Sequence, residues 1–132
     1  MEEYQVDNWT FQIDFSQPLY EQVLMQMRSL IAKGAIGLGE KIPSVRDMAH
    51  DLKINPNTVM HAYQELERDG LTEKRRGQGT FVTQSSSCVQ QFRKQFAADY
   101  TADYLDKMQA LGFNRHQIND YIKGQNEGGQ AQ

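Results

Sequence analysis

Ser44-Val45-Arg46-Asp47-Met48-Ala49-His50-Asp51-Leu52-Lys53-Ile54-Asn55-Pro56-Asn57-Thr58-Val59-Met60-His61-Ala62-Tyr63-Gln64-Glu65-Leu66 is the stretch that decides the fold. Ser44 reads as an N-cap, and Val45, Met48, Ala49 and Leu52 then recur at the spacing of one helix face. Lys53 and Ile54 make a tight turn. Asn55 reads as a second cap and Pro56 as a first helical position, where the missing N–H is no loss and the fixed φ suits the helix. Val59, Ala62, Tyr63 and Leu66 form the inward stripe of that second helix. Two short helices joined by so short a turn are the helix-turn-helix pattern. The stripe leaves Asn57, Thr58, His61 and Gln64 on another face, all able to hydrogen-bond and none acidic. A major groove admits one helix; Asn and Gln can pair two bonds with adenine, and Thr can meet a base edge or a thymine methyl.

C-terminal to this stretch, Gly70 is the expected helix stop. Residues 71–74 and 80–83 read as two short strands around Arg75-Arg76-Gly77-Gln78-Gly79. The glycines supply backbone freedom for a hairpin, and the arginines sit at its tip, so the hairpin reads as a basic wing. Arg75 and Arg76 suit a minor groove or phosphates, and Gly77 permits close backbone approach. Gln78, Thr80 and Ser44 are further candidate donors. Arg46 lies in the first turn of its helix, where the helix dipole disfavours a cation, which suggests a partner outside the helix such as phosphate or a guanine edge.

N-terminal to it, Pro18 suits a first helical turn, and Leu19, Val23, Leu24, Met27, Leu30 and Ile31 follow helical spacing up to Gly34. Residues 34–43 read as a glycine-rich connection. Residues 9–15 alternate apolar and polar, the period of a half-buried strand whose sheet partner is not evident in the sequence. At the other end, Ser85-Ser86-Ser87 reads as a linker with capping potential. Val89, Phe92, Phe96, Tyr100, Tyr104, Met108 and Leu111 recur as the stripe of a long helix ended by Gly112. Asn114 is a candidate cap for a last short helix with Ile118, Tyr121 and Ile122 inward. The Gly/Gln-rich tail from Gly124 is expected to be disordered. The long stripe exceeds what the remaining chain can cover, so a homodimer paired through Val89, Phe92, Phe96, Tyr100, Tyr104 and Met108 is expected. It would present two recognition helices to a pseudo-palindrome.

The net charge of −3 does not itself suggest nucleic acid. Its distribution does: residues 41–83 carry seven basic side chains against six acidic, and Lys74, Arg75 and Arg76 are consecutive, whereas residues 1–40 carry two against six. Phosphate affinity follows local charge at the contact face. A hydrophobic fraction of 39% excludes a fully disordered chain. No apolar run approaches the ~18 residues of a membrane span, and the acidic start is not a signal peptide. The single Cys88 fits a reducing, cytoplasmic setting and shows no nucleophile signature. His50, His61 and His116 lack metal-ligand spacing, and Gly77-Gln78-Gly79 is too short for a phosphate-binding loop. No metal, cofactor or enzymatic activity is expected, and no effector is identifiable.

The residues Pro18-Leu19-Tyr20-Glu21-Gln22, Gly39 to Ala49, Asn57-Thr58-Val59, Ala62-Tyr63, Glu67 to Leu71 and Gly77 to Val82 resemble, in order and spacing, the DNA-binding domain of the GntR family of bacterial repressors. The resemblance covers about residues 16–83. It implies that Arg46, Asn57, Thr58, Arg76 and Gly77 contact DNA. The family pattern differs at Pro56 and Met60, where members carry Arg or another polar residue, and His61 is the candidate that replaces them. The short helical tail resembles the YtrA-like subfamily, whose members pair through such helices and often sit with transporter operons. The expected architecture is mainly α with a small β wing: a winged helix-turn-helix over 1–84 including the 9–15 strand, a helical dimerisation tail over 85–123, and a disordered tail over 124–132. The expected partners are a double-stranded DNA operator and a second copy of the chain, with no membrane. Two other readings stay open from sequence: a winged helix that binds protein, and a regulator severed from an aminotransferase-like domain.

Overall fold

The computed structural model describes the backbone of residues 1–131 and the side chains of residues 1–125. The chain forms two compact units, Met1–Arg93 and Lys94–Gln132. In the first unit the order is β1 (Glu2–Val6), β2 (Trp9–Ile13), α1 (Leu19–Ala32), β3 (Lys41–Ile42), α2 (Val45–Leu52), α3 (Pro56–Arg68), β4 (Thr72–Arg75) and β5 (Gly79–Val82), followed by the start of α4 (Ser86–Ala110). This is a winged helix with an added N-terminal hairpin.

The strand at residues 9–13 finds its partner in β1, which the sequence does not reveal. The two pair antiparallel with Glu2 opposite Ile13 and Val6 opposite Trp9. Asp7 takes a positive φ of 53° in their two-residue turn, a conformation that Asp tolerates better than most residues. Trp9, Phe11 and Ile13 are buried, and Thr10 and Gln12 face out. The outer edge of β2 is closed by a helix rather than a strand. Gln26 of α1 accepts from Gln12 N at 2.8 Å and donates to Gln12 O at 2.6 Å. One turn earlier, Gln22 accepts from Asp14 N at 2.8 Å and donates to Asp14 O at 2.9 Å. Two side-chain amides thus stand in for a neighbouring strand.

The helix caps form as the sequence predicts. Ser44 Oγ accepts from Asp47 N, and Asn55 Oδ1 accepts from Asn57 N. Lys53 closes α2 in the left-handed region at φ 59°, while Ile54 N donates back to Ala49 O at 3.0 Å, so a non-glycine residue ends this helix. Gly70 closes α3 at φ 80°. Val23, Met27, Met48, Leu52, Val59 and Leu66 meet in one core with Phe11 and Ile13. Burying each large apolar side chain is worth roughly 1.5–3 kcal/mol, so this core dominates the stability of the unit. The wing is a three-stranded sheet in the order β3-β5-β4. Its third strand lies where a plain glycine-rich connection was expected.

The boundary between units falls inside α4 rather than after residue 84. Val89 is 8% exposed and Phe92 packs against the first unit's core. Both were expected on the dimer face; the first turns of α4 instead use them to seal the winged helix.

In the second unit α4 ends at Ala110, with Gly112 at φ 96°. Asn114 Oδ1 accepts from Gln117 N and Gln117 Oε1 accepts from Asn114 N, both at 2.9 Å, a reciprocal capping box that starts α5 (Arg115–Ala131). The last helix is therefore longer than the short one expected, and the backbone is helical over 124–131, where a disordered tail was expected from Gly124. A helix already started extends at little cost per residue, although Gly124, Gly128 and Gly129 each weaken it by about 0.5–1 kcal/mol. Residue 132 lies outside the described residues.

Candidate nucleic-acid interface

The sequence places α3 at the centre of the site, and three contacts fix how it stands. Its inner face, Val59, Ala62, Tyr63 and Leu66, is buried. The Tyr63 hydroxyl donates to the Pro43 carbonyl at 2.8 Å, which ties α3 to the residue just before the α2 cap. Burial, and then the carboxylates of Asp7 and Asp47, push the Tyr63 phenol well above its ordinary value, so it stays neutral and remains a donor at any working pH. Replacing Tyr63 by Phe should leave that carbonyl without its donor. A loss of about 1–2 kcal/mol in urea unfolding is expected.

At the far end of α3, Asp69 receives Arg28 of α1 as a two-pronged pair, Nε to Oδ2 at 2.8 Å and Nη2 to Oδ1 at 2.9 Å. The two side chains are 14% and 10% exposed, so the pair is largely desolvated and geometrically specific. The sequence does not disclose this positioning pair, because the partners lie 41 residues apart.

With its inner face sealed, α3 turns Asn57, His61 and Gln64 to solvent, and Thr58 is half-buried. Arg46 in the first turn of α2 is exposed. Ser44 is also exposed; its oxygen serves the cap, which leaves its hydroxyl proton available.

In the wing, β4 and β5 pair with Arg75 opposite Gly79. Gln78 N donates to Arg75 O at 2.8 Å across the turn, and Gly77 takes φ 76°. A positive φ at the third turn position is what calls for glycine there, since a β-carbon on Gly77 would meet nothing within 4 Å. The two tip arginines differ. Arg75 lies over the Phe81 ring at 4.1 Å from its centroid and pairs with Glu73 at 3.0 Å, so its guanidinium is engaged within the wing rather than presented at the tip. Arg76, Gly77 and Gln78 are exposed, and Thr80 is half-buried. Lys74 approaches Glu67 of α3 at 3.9 Å, an exposed pair worth little on its own.

Elsewhere in the first unit, a cleft of about 230 Å³ lies between the end of α1 and the start of α4, with Ile36, Leu38 and Val89 in its lining. Among the described residues no cluster of His, Cys, Asp and Glu could hold a metal ion, and no helix is long and apolar enough to cross a membrane.

Of the second-unit residues expected at a dimer face, Tyr100 and Tyr104 are exposed, and Phe96 and Met108 are half-buried. Phe96 and Tyr100 meet edge-on at 5.8 Å.

Comparison with known proteins agrees with this geometry. Residues 19–82 match the family described as bacterial regulatory proteins, gntR family. The HTH-type transcriptional regulator YhcF of Bacillus subtilis is 35% identical over 118 residues, 89% of this chain and 98% of the relative. The HTH-type transcriptional repressor YtrA of the same organism is 48% identical over 71 residues, 54% of this chain and 55% of the relative. A GntR family transcriptional regulator from Listeria monocytogenes superposes with a TM-score of 0.77 at 31% identity, covering 85% of this chain and 98% of that one. Its relatives are transcription regulators, not enzymes. The chain belongs to the GntR family of bacterial regulatory proteins, as a YtrA-like DNA-binding transcription regulator.

Proposed function

We propose that the chain is a cytoplasmic repressor that grips a pseudo-palindromic operator as a homodimer. Asn57, Thr58 and His61 read bases in the major groove. Arg76, Gly77 and Gln78 follow the adjacent backbone or minor groove. Arg46, Ser44 and Thr80 hold phosphates or a base edge. Arg75 stays folded on Phe81 and contributes charge rather than a direct contact. Half-sites about 10 bp apart, or a multiple of that, suit a two-fold dimer. Pairing of two copies through the exposed Tyr100 and Tyr104 region is supported by its aromatic content. A repressive role is supported by 48% identity to a protein named as a repressor. The resemblance to YtrA-like regulators implies a transporter operon as the target.

The observation that carries the reading is the asymmetry of α3: one face is sealed in the core while Asn57, His61 and Gln64, hydrogen-bonding groups of which none is acidic, stand exposed. Two kinds of variant test it on a selected operator. Asn57→Ala is expected to relax preference at one base position, at a cost of about 1–3 kcal/mol. Arg76→Ala is expected to weaken binding to all duplexes alike and to lower the salt dependence by about one phosphate contact. Fluorescence anisotropy over a salt series reads both. Parent-like binding by both variants removes this face from consideration.

A further inference from the structure

The outer side of the wing sheet carries a cation not yet given a role. Residues paired across antiparallel strands share a face. Lys41 lies opposite Phe81, Glu73 also lies opposite Phe81, and Arg75 lies opposite Gly79. Lys41, Glu73, Arg75, Gly79 and Phe81 therefore share one face, while Ile42 and Val82 point into the core. On one side of β5, Arg75 is spent on Phe81 and Glu73. On the other, the stem of Lys41 leans diagonally across Gly79. A β-carbon on Gly79 would sit 2.9 Å from Lys41 Cε and 3.6 Å from Nζ. Gly79 thus does more than adopt its φ of 119°: its bare α-carbon is the bed on which the lysine lies.

Lys41 is exposed and makes no ion pair among the described residues. It also lines a surface cleft with Ser44, Asp7, Asp47 and Asp51, in which it is the one cation. The cleft's three carboxylates, from the hairpin turn and from the first and last turns of α2, would repel a sugar-phosphate strand. A positive charge at its rim offsets that repulsion where a strand running from Ser44 to the wing would pass.

We propose that Lys41, held over Gly79, is a further phosphate-contacting residue that bridges the α2 N-terminus and the wing. It supplies charge without base readout. This rests on the DNA-facing assignment of the wing above. Operator and an unrelated duplex of equal length serve as probes, with affinity measured from low to moderate salt. Lys41→Ala is expected to weaken both duplexes roughly three- to tenfold and to lower the salt slope by about one, as loss of a single phosphate contact does. Lys41→Arg should keep the parental slope. Gly79→Ala should displace the lysine and weaken binding in the parent, yet have a smaller effect on affinity in the Lys41→Ala background. Melting temperatures of all variants separate loss of folding from loss of contact. A Lys41→Ala slope equal to the parent's, with Arg76→Ala lowering it, overturns the role of Lys41 and leaves the wing assignment standing. Unchanged slopes in both overturn the two together.

Discussion

Tyr100→Glu combined with Tyr104→Glu is expected to turn the protein into a monomer and to weaken operator binding by about two to four orders of magnitude. In the proposed dimer, engagement of the second half-site is intramolecular, so separating the subunits would remove that gain without touching a single DNA contact. Tyr100 is 52% exposed and Tyr104 is 38% exposed, so carboxylates at these positions do not disturb the core of the first unit. If they pair with a second copy, burying two charges there is prohibitive. Sedimentation equilibrium beside anisotropy on full and half operators distinguishes the outcomes. Loss of affinity on the full operator with unchanged half-site affinity is the expected pattern. A variant that remains dimeric places the subunit contact elsewhere.

The second large effect concerns stability. Arg28→Met removes the fork that holds Asp69 and leaves a carboxylate only 10% exposed. Breaking a fully buried pair by deleting one partner costs about 3–5 kcal/mol; with this residual exposure, about 2–3 kcal/mol is expected. For a unit of this size that is a fall in Tm of roughly 8–20 °C. Asp69 is the C-cap of α3, so the damage falls on the end of the helix that presents Asn57 and His61. The Arg28→Met/Asp69→Leu double variant should recover much of the loss, because no buried carboxylate is left at 69 and Glu65, which also neighbours Arg28 at 3.9 Å, keeps Arg68 at 3.6 Å. Calorimetry of the three proteins checks it. Equal losses in the single and double variants would mean that packing of the arginine stem, rather than the ion pair, is what matters.

Where the sequence was legible, the signals were local. The caps at Ser44 and Asn55, Pro56 at the first position of α3 and the glycine at 77 each act within a few residues, so their roles can be read in order along the chain. The alternation over 9–13 was equally clear, but its partner β1, Glu-Glu-Tyr-Gln-Val, has little apolar character: only Val6 is fully buried, and the strand is defined by pairing rather than by its own pattern. β3 is only two residues long and carries no period at all. Arg75 and Arg76 look alike in sequence. Only the placement of Phe81 on the neighbouring strand, with Glu73 two residues back on the same one, separates them. The stripe of α4 was visible, yet its first two members serve the first unit, because a single period does not state which partner covers it. The tail beyond Gly124 shows composition giving way to helix propagation.

The paired glutamines of α1 have a practical consequence. Gln22 and Gln26 occupy the side of the hairpin on which another strand would otherwise dock, so the fold guards that flank against unwanted sheet growth with neutral amides instead of charge. Cutting away residues 1–13 to make a shorter regulator would therefore do more than trim an end. It would strip Phe11 and Ile13 from the core and take away the Gln12 backbone that Gln26 had matched, leaving Gln22 alone in place on Asp14, so a stable minimal version has to keep the hairpin.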